Sequence, residues 1–559
     1  MQSTRNPVRS CSLSLPKPTV LAELIVLLFG GLASLGASAQ AVPTPGAIFD
    51  SVRPAEPVIP APQRQSPIVL PATPGLGSLD PDAPRTQVSA LRIVGNQAID
   101  TATLQHLVAN QAGKPMNLYE LNEVTRRITD YYRKQGFPVA RAVIPAQKVE
   151  GGVVTIEVVE GRIDKTAFRG NKLYSNQLLQ RWGQPLVGQV ATTKALEERV
   201  LALNDLPGLE AQAVLRPGDE YGTTTMEVVT KEKPVDGEIS FNNYGRKEVG
   251  EDRVDASVNL NNPFGIGDQL GFRGSYSQGG LIRLGGLNYS LPLNVQGTRL
   301  AFSYTEIDYR IGGDLEAADI NGKSTLGSAT VIHPFLRSQN ENLFGTLGVR
   351  TFSGTQYASD VSLTDNRVSV LEAGLAWNHI DPCFDIATAS VRMSSNFKGY
   401  DDEQSDIGQK LKIDGDASYL YNFDSAWSVK VSGAAQWSAD TLADAEQFSL
   451  GGPNSLRGYP SADVRGDRGA SISVEGRYRT VVLGAPGYFS VFADGGYVAR
   501  VHPDAGLAKS NSVGSAGIGA TFFPTRTLQL EVAAAAPTGK LDASDDKSAR
   551  LWVNLTKRF

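Results

Sequence analysis

The stretch VDASVNL, Val254–Leu260, alternates without a break. Successive side chains of an extended chain point to opposite sides, so Val254, Ala256, Val258 and Leu260 share one face and Asp255, Ser257 and Asn259 the other. In the same way Ala387, Ala389, Val391 and Met393 oppose Thr388, Ser390, Arg392 and Ser394. Ala470, Ile472, Val474 and Tyr478 oppose Ser471, Ser473, Glu475, Arg477 and Arg479. One face suits hydrocarbon and the other water. Alternation alone leaves open which face turns inward, because a soluble sandwich buries its apolar faces and a membrane barrel exposes them.

Outward from that stretch, the period of two holds from Pro234 to the end of the chain. About sixteen strands can be placed, starting near residues 235, 252, 267, 281, 296, 324, 341, 366, 385, 408, 425, 469, 487, 513, 526 and 549. An even number is expected of a bacterial outer-membrane barrel. The connections also sort by length. Short ones lie at Asn262–Gly267, Leu293–Gly297, Ser338–Glu341, Phe423–Ala426 and Pro524-Thr525. Long polar ones lie at Gly312–Lys323, Gly354–Asp365, Gly399–Gly408, Ser438–Arg468, Arg500–Asn511 and Pro537–Ser548. Short turns at one rim and long loops at the other suit a spanning barrel, and a soluble sandwich has no reason to sort them. In lipid every backbone group must be bonded internally, so the sheet must close. The last strand carries Leu551, Val553 and Leu555 on one face, interrupted by Lys557, and ends on Phe559.

Upstream the chain changes character. Residues 1–39 read as a secretory signal: basic Arg5, Arg9 and Lys17, an apolar core from Leu24 to Leu35, and a small-residue cleavage site at Ala37-Ser38-Ala39. Its removal takes Cys11 and leaves Cys383 as the sole cysteine of the mature chain. Residues 40–85 are a Pro-rich linker in which Gly46–Arg53 can form a short helix ended by Pro54. Residues 86–161 and 162–233 look like two copies of one α+β unit. RIVGNQAI (Arg92–Ile99) matches AFRGNKLY (Ala167–Tyr174), and TIEVVE (Thr155–Glu160) matches TMEVVT (Thr225–Thr230). Each copy reads strand, helix, helix, strand, strand. In the first, Leu104, Leu107 and Val108 mark one helix, and Asn117 opens another that carries Leu118, Leu121, Val124 and Ile128 on one face.

The longest connection, 438–468, contains GGPNSLRGYPSADVRGDRG (Gly451–Gly469) and follows the eleventh strand. In VFADGGY (Val491–Tyr497), Val491 and Ala493 suit lipid, which turns Phe492, Asp494 and Gly496 into the lumen. A carboxylate in a narrow, partly dry interior needs a partner. Arg457 is the candidate, since a guanidinium offers two parallel hydrogen bonds. Gly458 is expected to let the loop bend and Gly496 to leave room beside Asp494.

Two sets of residues carry a family resemblance. YYRKQGFPVARAVIPAQ (Tyr131–Gln147) is similar to the first polypeptide-transport (POTRA) domain of two-partner secretion transporters. Arg457, Gly458 and Tyr459 with Phe492, Asp494 and Gly496 resemble the paired signatures of the Omp85–two-partner secretion superfamily, with Leu456 where Val is usual. On these motifs the chain resembles a TpsB transporter of the hemolysin/filamentous-adhesin secretion type over essentially its whole mature length. The fold implied is mainly β: a 16-stranded antiparallel transmembrane β-barrel (234–559) after two α+β POTRA domains, with loop 438–468 folded inward. The function implied is recognition of a large secreted partner polypeptide by periplasmic POTRA domains and its passage, unfolded, through an outer-membrane pore. The resemblance also implies outer-membrane lipid as surroundings, and the barrel-assembly machinery as reader of an insertion signal at Val553, Leu555 and Phe559. The short helix near 46–53 stands where many members carry a longer plug.

Other functions find little in the residues. With 53 Lys+Arg against 58 Asp+Glu there is no basic footprint for nucleic acid. His106, His333, His379 and His502 lack metal-ligand spacing, and no Walker-type phosphate loop or Gly-x-Ser-x-Gly elbow occurs. GSAGIG (Gly514–Gly519) sits on a barrel strand. The reading is therefore of a non-enzyme without metal or cofactor. A barrel-assembly insertase is the alternative, disfavoured because it would carry more POTRA copies; a passive porin would need none.

Overall fold

In a computed structural model the described residues are 42–52, 68–69, 80–359, 361–400, 408–503, 508–539 and 541–559. The expected signal segment, most of the linker and loop residues 401–407 lie outside them.

The two copies between Thr86 and Glu232 share an unusual detail. After the first strand of each comes a Gly-Asn turn, with Gly95 at φ +82° and Gly170 at φ +90°. A Cβ on either would strike a carbonyl oxygen, Val158 O at 2.4 Å and Thr230 O at 2.5 Å, so only glycine fits. A glutamate then closes each turn: Glu160 accepts from the amides of Gln97 and Ala98 (2.7 and 2.6 Å), and Glu232 from those of Lys172 and Leu173 (both 2.6 Å). Asn96 and Asn171 each donate forward to a carbonyl three residues on, at 2.9 and 2.8 Å.

Helices pack on one face of each sheet, of three strands in the first domain and four in the second, where Ile68–Val69 pairs in parallel with Ala213 and Val214. In the first domain helix Leu118–Lys134 starts with a reciprocal cap between Asn117 and Glu120. The Asn117 amide, then the Arg85 guanidinium, holds the Glu120 carboxyl below its usual range. Leu104, Val108, Leu121, Val124 and Ile128 are buried there, but Leu107 and Leu118 are exposed. The apolar stripe read from sequence is thus wider than the face that packs. In the second domain Leu179, Trp182, Leu196, Val200 and Leu203 form the core, and Leu201 is buried beside it. That domain also grips the barrel: Arg337 clamps Asp205 with two bonds of 2.9 and 2.8 Å, and Arg199 donates to Val295 O at 2.6 Å.

The sixteen strands of the closed barrel are β1 (Val235–Asn242), β2 (Arg253–Asn261), β3 (Gln269–Ser277), β4 (Ile282–Pro292), β5 (Arg299–Arg310), β6 (Ile320–Arg337), β7 (Glu341–Ala358) and β8 (Val361–Ile380). They continue as β9 (Ile386–Tyr400), β10 (Leu411–Asn422), β11 (Trp427–Ser438), β12 (Arg468–Val482), β13 (Ala485–Ala499), β14 (Ser510–Thr525), β15 (Leu528–Pro537) and β16 (Arg550–Arg558). All neighbours are antiparallel, and β16 returns to β1 in register Glu238↔Arg558 through Asn242↔Asn554. Residues such as Phe272, Phe302, Leu347, Leu371, Val391 and Ile518 stand exposed on the outer wall. A face so apolar suits hydrocarbon rather than water.

Three expectations need correction. Residues 354–365 do not form a long loop, because β7 and β8 run on as an extended hairpin to Ala358 and Val361. The turn expected at Pro524-Thr525 falls two residues later, after Thr525. The helix expected at 46–53 spans Pro45–Ser51 and ends before Pro54, with Val52 as its C-cap.

Candidate functional site

Loop 439–467, between β11 and β12, folds back into the barrel and meets the wall at its tip. Arg457 Nε donates to Asp494 Oδ2 at 3.0 Å and its Nη2 to Oδ1 at 2.7 Å, while its own backbone amide donates to Oδ2 at 3.1 Å. Hydroxyls of Ser473 and Ser515 complete the shell of Asp494 at 2.8 and 2.9 Å. The Asp494 side chain has 0% exposure, so a charge there is tolerable only with these partners. The remaining arm of Arg457 reaches Glu475 at 2.7 Å, and its guanidinium carbon lies 3.2 Å from the centroid of the Phe492 ring.

Two glycines act otherwise than the sequence suggests. Gly458 has no left-handed backbone; a Cβ there would sit 2.8 Å from both Pro537 N and Ser515 Cβ. Its role is close approach to the wall rather than bending. Gly496 does leave room, but Leu450 and Leu456 of the loop fill it: a Cβ would meet them at 2.6 and 2.9 Å. Tyr459 is fully buried and donates to Leu541 O at 2.9 Å. Arg457 O accepts from Trp552 Nε1 at 2.7 Å, and Gly458 O from Arg550 Nε at 3.2 Å.

A second element shares the lumen. Helix α1 (Pro45–Ser51) packs Ile48, Phe49 and Val52 against inward side chains of β4, β5, β7 and β8, including Ile282, Ile307, Phe352 and Val368. The Phe49 and Phe352 rings meet edge to face at 5.5 Å. Thr44 caps its start, and Asp444 of the inward loop accepts from Gly46 N at 2.5 Å. At the other end Arg253 donates to Ser51 O at 2.9 Å and Arg273 to Val52 O at 3.3 Å. Negative charge at the helix start and positive charge at its end both complement the peptide dipoles. Arg465, also from the loop, bonds Asp50 at 2.9 Å as well as Asp444, so it joins loop to helix. The loop's own root is held where Glu446 accepts from Lys412 at 2.7 Å and from Arg350 at 3.0 Å.

At the chain terminus Leu551, Leu555 and Phe559 are exposed on the outer wall and Val553 is half-buried. Phe559 exchanges backbone hydrogen bonds with Gly237, 3.0 and 3.3 Å, which helps close the barrel. Lys557 does not stand bare, since it donates to Thr527 Oγ1 at 2.7 Å.

Residues 222–522 match the family described as haemolysin secretion/activation protein ShlB/FhaC/HecB, which is more than half the chain. The chain belongs to this family. Residues 86–161 separately match the POTRA domain of ShlB type. Among curated relatives, the heme/hemopexin transporter protein HuxB of Haemophilus influenzae is 24% identical over 497 residues, covering 83% of this chain and 85% of that one. The outer membrane transporter CdiB of Escherichia coli is 25% identical over 432 residues, 74% of this chain and 72% of that one. Among solved structures, CdiB from Escherichia coli has a TM-score of 0.68 at 22% identity, covering 98% of this chain and 100% of that one. BamA from Haemophilus ducreyi reaches 0.53 at 17% identity, over 85% and 100%. Family and fold together make this an outer-membrane transporter of two-partner secretion, with its POTRA domains in the periplasm, rather than an assembly insertase.

The short signatures pair Arg457 with Asp494 but do not point to Glu475, Arg550 or Trp552, which also hold the loop tip, or to Ser515, which bonds Asp494. Glu475 was visible as a polar residue on the inner face of β12; the other three carry no spacing signal relative to the loop.

Proposed function

We propose that this transporter takes a large exoprotein, such as an adhesin or hemolysin, from its periplasmic domains and passes it unfolded through the barrel without nucleotide. Folding of the partner outside the cell supplies direction. Curated relatives are named for heme/hemopexin and hemolysin transport, which supports a client such as a hemolysin. The POTRA domains bind the client partly by strand addition to a sheet edge. The Arg457–Asp494 contact fixes the inward loop and sets the conformation of the channel, while α1 blocks the resting pore. At the last strand, Val553, Leu555 and Phe559 form the signal read by the barrel-assembly machinery on the way into outer-membrane lipid.

The observation that carries this reading is the fully buried Asp494 bonded on both oxygens by the loop's arginine. The test is charge reversal, Arg457→Asp and Asp494→Arg, singly and together, read as secreted partner. The swapped pair would leave an acid beside Glu475, so Glu475→Gln is added to all arms. Secretion is expected to collapse in each single variant and to recover in the double. A double no better than either single means the pair does not act directly.

A further inference from the structure

The hairpin of β12 and β13 runs past both its neighbours at the periplasmic rim. Its last pair with β11 is Tyr478↔Trp427 and its last with β14 is Gly487↔Phe522; beyond them Val481↔Pro486 and Val482↔Ala485 pair only with each other. No charged residue stands between Thr480 and Phe489. Val481, Val482 and Pro486 are exposed, and Leu483 at the tip is fully bare at 103%. Other apolar residues of this rim lean on a ring: Phe264 meets Tyr289 edge to face at 6.1 Å, and Phe335 meets His333 at 5.0 Å. Leu483 also takes the left-handed backbone, φ +51°, ahead of Gly484 at φ +80°. A two-residue turn of that kind is built most easily from Asn-Gly, and a bulky side chain at positive φ is an outlier. The chain thus keeps a leucine where water and backbone both disfavour it. Stability does not account for that; a contact made outside the resting fold does.

Two features say what that contact is. By alternation Val482 shares the lipid side with Tyr478, whereas Val481 and Pro486 share the lumen side with Arg477 and Tyr488. Lipid covers only the outward side, so a plain membrane anchor leaves Val481 and Pro486 without a purpose. The hairpin also lies opposite the second periplasmic domain, whose Arg199 holds the β4–β5 turn, eight strands away in a ring of sixteen. A chain leaving that domain for the lumen passes between the two. We infer that Val481, Leu483 and Pro486 form an apolar lip that receives extended apolar segments of the secreted polypeptide at the pore entrance. This rests on the reading that the partner enters unfolded, the state in which its apolar side chains are bare to water. Further along, the same two strands carry Glu475 and Asp494, so the lip is continuous with the wall that holds the loop tip.

The test uses the full-length protein in nanodiscs of phosphatidylethanolamine and phosphatidylglycerol. The probe is reduced, carboxymethylated α-lactalbumin, a permanently unfolded chain, with native α-lactalbumin as control. A polarity-sensitive bimane is placed by Leu483→Cys in a Cys383→Ser background. The unfolded probe is expected to shift its emission to the blue saturably, the native control to leave it unchanged, and brominated lipid not to quench it. Without any label, Val481→Thr with Leu483→Asn is expected to weaken probe binding about tenfold, roughly the weight of one apolar side chain. Asparagine suits the left-handed turn, so heat-modifiable migration stays that of a folded barrel. Quenching by brominated lipid makes the tip a membrane anchor and overturns the inference. Probe binding without a bimane response, or without loss in the double variant, puts the contact elsewhere and overturns the lip while leaving unfolded transport intact. No binding to any form overturns the lip and the proposed capture of an unfolded client together.

Discussion

The lumen holds two intruders, the tip of loop 439–467 and helix α1, and they are held by different physics. The loop is tethered at both ends and its tip is fixed by charge: one arginine satisfies two buried acids, Asp494 and Glu475. The helix adds an apolar hold, through Ile48, Phe49 and Val52, to the charged contact of Asp50 with Arg465. Each such side chain is worth about 1.5–3 kcal/mol when withdrawn from water. Apolar burial is non-directional and is recovered wherever the helix finds another greasy surface. A buried acid deprived of its arginine finds nothing equivalent. On the function proposed above, the contrast makes the loop a fixture and the helix a removable part.

The contrast is broken most severely by Arg457→Ala. It strands the buried Asp494, while Glu475 keeps Arg477, at a cost of about 3–5 kcal/mol, and is expected to abolish secretion. Heat-modifiable migration on a gel should still show a folded barrel. Arg465→Ala is the sharper cut, because this residue serves both intruders. Losing its charged bonds to Asp50 and Asp444 is expected to cost about 3 kcal/mol. Bilayer recordings should then show a channel open at least ten times more often, with the loop tip still protected from cysteine labelling. Phe49→Ala removes the largest apolar anchor of α1, about 2–3 kcal/mol, and should raise open probability without altering the loop. Thr44→Ala, which deletes the helix cap, is worth about 1 kcal/mol, and its conductance should rise only a few-fold. If all four variants opened the channel equally, the division into fixture and removable part would be wrong.

Much of this was legible in the residues. Every expected strand start falls within five residues of the observed one, because a wall with lipid on one side and water on the other enforces a period of two along its whole length. Arg457 and Asp494 were findable because each carries a short signature. Trp552 and Arg550 were not: they lie 95 and 92 positions from their loop partners, and only barrel closure brings them near. Leu107 and Leu118 misled because helical spacing marks a stripe without marking its limits. The strand at Ile68–Val69 was invisible, since two apolar residues among prolines have no period at all. Gly458 was correctly marked as needing glycine, but for the wrong reason, because backbone angle and proximity to a wall leave the same letter in a sequence.

The Gly-Asn turns closed by Glu160 and by Glu232 make each periplasmic domain self-sufficient at its seam, needing no residue from its neighbour for that closure. Such a unit can be copied head to tail without redesign. The periplasmic arm is thus modular hardware, and its length is set by how many times the piece has been duplicated.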